Sequence, residues 1–302
     1  MMTGIADQCR NRWHSILPQL GFSPNYLTGK QTPCPMCGGK DRFRFDNLEG
    51  RGTFYCNQCG AGDGVQLVMM AHRLTFRDAA NKIMQVAPGC ETVKPRRSMS
   101  EEQRVQALRE AWQASKAITP TDEAGRYLAS RGINGPYSEA LRFIPRLKVT
   151  GETVKHLAAM IALVRDPAGE PLTLHRTYLQ NGAKAKISSP KRLMPGDTPH
   201  GSYIALSPEA EEMGVAEGIE TALMVQQRFG IPCWSMISAD GLKAFTPPLA
   251  VKRLRIFGDN DGKFGGQAAA YALAHRLAVR NDHISVSVEI PPETGTDWAD
   301  VA

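Results

Sequence analysis

Two sets of residues in this 302-residue chain have the types and spacing that chemistry needs. The first is two Cys-x-x-Cys pairs, Cys34 with Cys37 and Cys56 with Cys59, separated by 18 residues. Each pair forms a knuckle whose two sulfurs meet one ion, and four thiolates around one ion select zinc in a closed structural site. The second set is acidic. Glu217 in VAEG ends a strand and opens a helix, which puts its carboxylate in the crevice at the carboxyl end of a sheet. Asp259 and Asp261 in IFGDNDG leave another strand at the same end, and their i, i+2 spacing lets both project toward one point. Asp297 and Asp300 in GTDWAD follow the last strand and can reach the same rim. Carboxylates converging without Cys or His make a hard-oxygen site suited to magnesium or manganese, ions that keep their waters and share phosphate oxygens. Gly218, Gly258 and Gly262 flank these acids and permit close approach.

The elements that must hold these residues are legible from pattern. Between the knuckles, DRFRFD and GTFYC alternate as strands do, which makes the cysteine module a zinc ribbon. Arg42 and Arg44 fall on one side of the first strand, Phe43 and Phe45 on the other, with Lys40, Arg51 and Tyr55 nearby. Exposed cations track phosphates and an aromatic ring stacks on an unpaired base; for Phe43 and Phe45, packing in the core is the competing use. Asp63 can cap a helix through VQLVMMAHRL, and Thr75 with Asp78 resembles a capping box opening FRDAANKIMQV. VKPRRSMSEEQ, residues 93–103, reads as a linker. Residues 101–131 read as helical with a break at ITPTDE, and Gly132 stands where a helix would stop. From about residue 141 short apolar runs replace this pattern, with DPAGEP as a hairpin turn, followed by the basic stretch NGAKAKISSPKRLMPG. EMGVAEG, CWSMIS, RLRIFGD and ISVSVEI then read as strands, with helices IETALMVQQRFG and GGQAAAYALAHRLAV between them. That order predicts an α/β fold whose last part is a parallel sheet with crossover helices.

Composition sets the setting. The chain is 42% hydrophobic and 22% charged, ordinary for a globular protein, with no run of about 18 uncharged apolar residues and a charged N-terminus where a signal peptide needs an apolar block. A soluble protein of the reducing cytoplasm, with no membrane partner, is expected. Seven cysteines, four in tight pairs, favour metal over disulfides and leave Cys9, Cys90 and Cys233 as free thiols. Residues 1–99 hold 13 Lys+Arg against 7 Asp+Glu, residues 100–200 hold 15 against 10, and residues 201–302 hold 8 against 13. A basic body suits a polyanion, and an acidic last third suits cations.

VAEGIETAL, IFGDNDGKFGGQAAA and GTDWAD resemble, in order, the acidic motifs of the Toprim domain shared by bacterial DnaG-type primases, topoisomerases, some nucleases and recombination mediators. CPMCGGKDRFRFD and GTFYCNQCGAGDG resemble the zinc ribbon of phage and satellite-phage primase-helicases, and YLASRG and LHRTYLQNGAKAKISSPKRLMPG resemble the core segments that precede Toprim there. The resemblance implies a ribbon domain over 1–92 with trailing helices, a linker over 93–103, the basic N-terminal part of a primase core over 104–205 and a Toprim catalytic domain over 206–302.

It also implies template-directed synthesis of a short RNA primer from ribonucleoside triphosphates on single-stranded DNA. Glu217, Asp259 and Asp261 would be the catalytic acids and, with Asp297, the magnesium or manganese ligands; Cys34, Cys37, Cys56 and Cys59 would hold structural zinc. The metals would lower the pKa of the attacking hydroxyl and neutralise charge on the leaving pyrophosphate. Arg42, Arg44 and Tyr55 of the ribbon, and His175, Arg176, Lys184, Lys186, Lys191 and Arg192 beside the acids, would line the path of template or triphosphate. No G-x-x-x-x-G-K-[ST] phosphate loop occurs, so a participating helicase would be a separate protein. Two other readings compete. A Toprim nuclease needs the same acids, and a non-catalytic zinc and Toprim recombination mediator tolerates their loss, whereas this chain keeps every one. A topoisomerase is excluded by length and by the lack of a tyrosine in a nucleophile setting.

Overall fold

The computed structural model describes residues 5–92, 99–150, 152–196, 198–280 and 284–301. The chain forms two compact units, Met1–Ser98 and Met99–Ala302. Most of the expected linker, residues 93–98, lies outside the described residues. Its last three residues are helical, because Ser100 accepts from the backbone N–H of Gln103 and Gln103 returns the bond, a capping box that starts the helix at Glu101.

The first unit is built around an antiparallel sheet of β1 (Thr32–Cys34), β2 (Gly38–Phe45), β3 (Phe54–Cys56) and β4 (Gly60–Gly62), with helices α1 (Ile5–Gln8), α2 (Trp13–Gln19), α3 (Gly64–His72) and α4 (Phe76–Val86). Asp63 caps α3 with Gln66 as its capping-box partner, as expected. Thr75 accepts from the N–H of Asp78 and donates to the Asp78 carboxylate, so the box there closes between side chains. Alternation along β2 buries Phe43 and Phe45 completely, Phe43 stacking on Phe54 and Phe45 meeting His14 edge-on. Packing takes both rings. Trp13 of α2, also fully buried, lies over Gly52 and Gly64, where any side chain would collide with the indole.

The second unit begins with α5 (Glu101–Gln113), β5 (Lys116–Ala117) and α6 (Glu123–Ser130). An antiparallel sheet follows, in the order β10-β8-β7-β6-β5 with β9 beside β8, from β6 (Leu141–Lys148), β7 (His156–Arg165), β8 (Pro171–Gln180), β9 (Ala183–Lys184) and β10 (Lys191–Leu193). The last part is a parallel sheet ordered β12-β11-β13-β14: β11 (Glu212–Ala216), α7 (Ile219–Phe229), β12 (Cys233–Ser235), α8 (Ala239–Ala244), β13 (Arg253–Phe257), α9 (Gly265–Arg280) and β14 (Ser285–Glu289). Helix α8 was not expected from sequence. It supplies the crossover that parallel strands require between β12 and β13, and it is only six residues long, too short for a helical period to register. β11 and β12 are buried almost throughout because both faces are covered, one by the core around Ile219, Ala222 and Phe257 and the other by that around Leu242, Leu273 and Ile256, whereas β14 at the sheet edge alternates serine with valine.

Candidate functional site

In the ribbon, the four cysteine sulfurs lie within 4.8 Å of one another. Cys34 Sγ is 3.9 Å from Cys59 Sγ, and Cys37 Sγ is 3.7 Å from Cys56 Sγ. Four sulfurs about 2.3 Å from one tetrahedral ion stand about 3.8 Å apart, so the thiols already have the spacing zinc needs. The N–H of Met36 points at Cys34 Sγ from 3.4 Å, a donor that would steady a thiolate. On the outer face of the sheet Arg44 and Tyr55 are register partners on adjacent strands, Tyr55 is 39% exposed, and the half-buried Arg42 lies against Gly39. Arg44 stands 3.7 Å from Asp46.

The acids of the second unit meet at the carboxyl ends of β11 and β13, where register pairs Ala216 with Phe257. Glu217 is the next residue after β11, and Asp259 follows β13 by two. Burial together with Asp259 and Asp261 raises the Glu217 carboxyl to about 7; burial together with Asp297 and Asp261 raises that of Asp259 to about 6. Asp261 is exposed, and one of its oxygens accepts from the N–H of Gly266 in the first turn of α9 at 2.8 Å. Gly266 must be glycine, because a Cβ there would sit 2.6 Å from the carbonyl oxygen of Asp259.

The i, i+2 spacing works because the residue between points elsewhere. Asn260 donates from Nδ2 to the carbonyl of Pro291 at 2.8 Å and from its N–H to Thr296, and accepts from the N–H of Gly295. These bonds bring in the loop that carries Asp297. Arg131, after α6, stands 2.7 Å from Asp300 and 3.8 Å from Asp297.

Do these residues suit a divalent metal? Asp259 Oδ1 is buried with no hydrogen-bond partner, and neighbouring carboxylates help raise the pKa of Glu217 and of Asp259, so a cation would satisfy both the orphaned oxygen and the like-charge cluster. Among the described residues only the cysteines have ligand atoms all within 4.8 Å, so the acidic group is the more open of the two. That openness fits magnesium, which keeps several waters and binds through one or two carboxylates.

The basic residues divide by strand alternation. Lys184 pairs with Leu179 and Lys191 with Thr177 across β8, which puts both lysines on the face that carries His175. Arg176 and Arg192 pair with each other on the opposite face. There Arg176 is held by Leu193 O and the Tyr178 hydroxyl, and Arg192 by Ser189 O, Thr150 O and Glu152. His175 is buried, 8% exposed, so it does not line an open path; burial and Lys191 push its pKa down to about 4, leaving it neutral. With Lys191, Glu217 and Ser235 it walls a cavity of about 30 Å³, large enough for a water molecule. Lys186 is exposed between β9 and β10.

Among the residues of this region that the sequence did not reveal, one is an acid. Glu220, in the first turn of α7, is 4% exposed and is held by the Tyr127 hydroxyl, Lys184 and Lys191. An acid in a first helical turn is so common a dipole partner that its position carries no signal by itself.

Comparison with known families matches the chain segment by segment. Residues 29–65 match the zinc-binding domain of primase-helicase, residues 212–302 match the Toprim domain, and residues 102–205 match a domain of unknown function, DUF7146. The chain is a Toprim-domain protein with a primase-type zinc ribbon. Among solved structures it is similar to the zinc-binding and RNA polymerase domains of the Aquifex aeolicus primase, at 15% identity over 99% of this chain and 82% of that one, with a TM-score of 0.43. It is similar also to the primase fragment of the bacteriophage T7 primase-helicase, at 15% identity over 90% and 93%, TM-score 0.39. A DNA primase domain from Pseudomonas aeruginosa matches at 17% over 66% and 72%, TM-score 0.43.

Proposed function

We propose that this protein is a DNA primase, joining ribonucleotides into short primers on a single-stranded DNA template by metal-dependent nucleotidyl transfer. The observation that carries the reading is the cluster of Glu217, Asp259 and Asp261 at the carboxyl ends of β11 and β13, with two lysines fixed on the neighbouring sheet. In this reading Glu217, Asp259, Asp261 and Asp297 hold magnesium or manganese. The metal supplies charge for the triphosphate and acidifies the attacking hydroxyl. Lys184 and Lys191 face the phosphates of the incoming nucleotide, and Lys186 tracks the strand. The ribbon, zinc-bound through Cys34, Cys37, Cys56 and Cys59, holds template through Arg42, Arg44 and Tyr55. The family description of residues 29–65, a zinc-binding domain of primase-helicase, supports both the template role and a link to a helicase, and is in keeping with a phage or other mobile element.

The test is a priming assay on mixed-sequence single-stranded DNA with magnesium and labelled ribonucleotides, run beside Glu217→Gln. Short template-dependent RNA from the wild type alone is the expected result. Metal-dependent shortening of the DNA, with no RNA made, would instead establish a Toprim nuclease. DNA binding with neither product would establish a non-catalytic mediator.

A further inference from the structure

Glu220 is a buried carboxylate that the metal reading does not absorb, although it lies only three residues beyond Glu217. Three other elements hold it: the Tyr127 hydroxyl of α6 donates to Oε1, Lys184 of β9 stands 3.2 Å from Oε1, and Lys191 of β10 donates to Oε2 at 3.0 Å. Burial by itself would raise its carboxyl, but Lys191, Lys184 and the Tyr127 hydroxyl hold it well below the usual carboxylate range. A carboxylate neutralised by two ammonium groups is not free to take a metal.

Lys191 has a second attraction. Its side chain walls the same small cavity as Glu217, which puts its charge beside the acidic cluster. One ammonium thus stands within reach of two anionic sites, a single buried carboxylate and the acidic cluster, and in the structure it is bonded to the first. We propose that Glu220 is a positioning residue, a tether that holds Lys191 off the acidic cluster so that Glu217 and Asp259 stay available to a divalent metal.

The physical reason is charge: Lys191, whose side chain is 40% exposed, is free to swing once Glu220 loses its charge, and other carboxylates within its reach attract it. The carboxylate that shares its cavity is that of Glu217, in the cluster. A lysine closing onto the cluster would stand in for the metal's charge and compete with it from within the chain. The tether also keeps Lys184 and Lys191 side by side, where the proposed reaction needs them for phosphate. The inference rests on the reading of Glu217 and Asp259 as metal ligands, but its readout is metal binding and needs no primer synthesis.

The experiment follows Mn2+ binding to the full chain by the paramagnetic resonance of the free ion, for wild type, E220Q, K191M and the double variant E220Q/K191M. Wild type is expected to bind, E220Q to bind on the order of tenfold more weakly, and the double variant to recover most of that loss, since the competing ammonium is gone. A merely structural role for Glu220 would leave the double variant as weak as E220Q, and that result would overturn the tether, as would an E220Q that binds Mn2+ like wild type. Should circular dichroism show E220Q unfolded, Glu220→Asp with and without K191M decides by the same comparison. A wild type that binds no Mn2+ would remove the metal reading and the tether together; one that binds Mn2+ yet makes no RNA would remove only the primase reading.

Discussion

Asn260 donates from its side-chain nitrogen to the carbonyl oxygen of Pro291 at 2.8 Å, so the residue between two aspartates of the acidic site holds the loop that brings a third. Its side-chain oxygen accepts from Gln267 of α9 at 2.7 Å, and both groups are partly buried. Asn260→Ala removes two hydrogen bonds and leaves the Pro291 carbonyl and the Gln267 amide short of partners. The expected cost is about 1–3 kcal/mol of stability. Mn2+ affinity should fall severalfold because Asp297 is less firmly placed, only the backbone bonds of residue 260 to Gly295 and Thr296 remaining. Thermal unfolding and metal titration of the same preparation check both effects. A variant with wild-type metal affinity would show that the Asn260 side chain is not needed to place Asp297 for the metal.

The metal-free protein should be strained by its own carboxylates. Glu217 is raised from 4.5 to about 7 in the fold, chiefly by burial and then by Asp259 and Asp261. A raised folded pKa contributes stability that is fully present below the unfolded value and is lost as pH climbs through the folded one. With chelator present, stability is therefore expected to fall from about pH 3.8 to about pH 7, as Asp259, raised from 3.8 to about 6, and then Glu217 ionise. Asp259→Asn relieves that repulsion: it should raise the melting temperature of the metal-free protein at neutral pH, while abolishing the further rise that magnesium gives the wild type. Melting curves with magnesium and with chelator, across pH, test the sign. An Asp259→Asn protein less stable than wild type without metal would mean that the carboxylate has a structural partner.

The ribbon depends on its metal for a different reason. Cys34 and Cys56 are buried against Phe43 and Phe54, so the site is continuous with the core of the first unit. Four thiolates held about 3.8 Å apart without an ion would repel, which is why such sites form only with the metal bound. Cys56→Ser is expected to lose zinc, loosen the aromatic core and expose residues 29–65 to protease, with the acidic site still binding Mn2+. Zinc content, near-ultraviolet circular dichroism and limited proteolysis measure the three effects. Unchanged zinc content in the folded variant would overturn the four-cysteine site.

What could be read in the sequence follows from the range of the forces involved. The knuckles, the capping of α3 by Asp63, the alternation that buries Phe43 and Phe45 and the strand ends that carry Glu217 and Asp259 are local patterns, each spelled out within a few residues. Glu220 was not legible, because its partners Tyr127, Lys184 and Lys191 come from 93, 36 and 29 residues away. The basic stretch before the parallel sheet showed its charge but not its faces. Only the pairing of β10 with β8 separates Lys191, toward Glu220, from Arg192, toward Glu152. His175 was expected to line the path of template or triphosphate, whereas the packing around it makes it a buried neutral ring. Asn260 looked like a spacer in DND, and its role appears only once the loop at Pro291 returns to it.

The outer face of the ribbon gives the remaining prediction. Arg44 and Tyr55 are directly paired across β2 and β3, which sets a cation beside a ring on one surface, the arrangement that follows a phosphate backbone while stacking a base. Arg44→Ala removes one phosphate contact, so the slope of log affinity for single-stranded DNA against log salt should become shallower by about 0.7. Tyr55→Ala should weaken binding by about 1–3 kcal/mol with the slope nearly unchanged, because stacking releases no counterions. The two substitutions therefore differ in kind as well as in size. Fluorescence anisotropy on labelled oligonucleotides at several salt concentrations separates them. If both variants keep the wild-type affinity and slope, this face of the ribbon does not meet the template, and the zinc site would serve the fold alone.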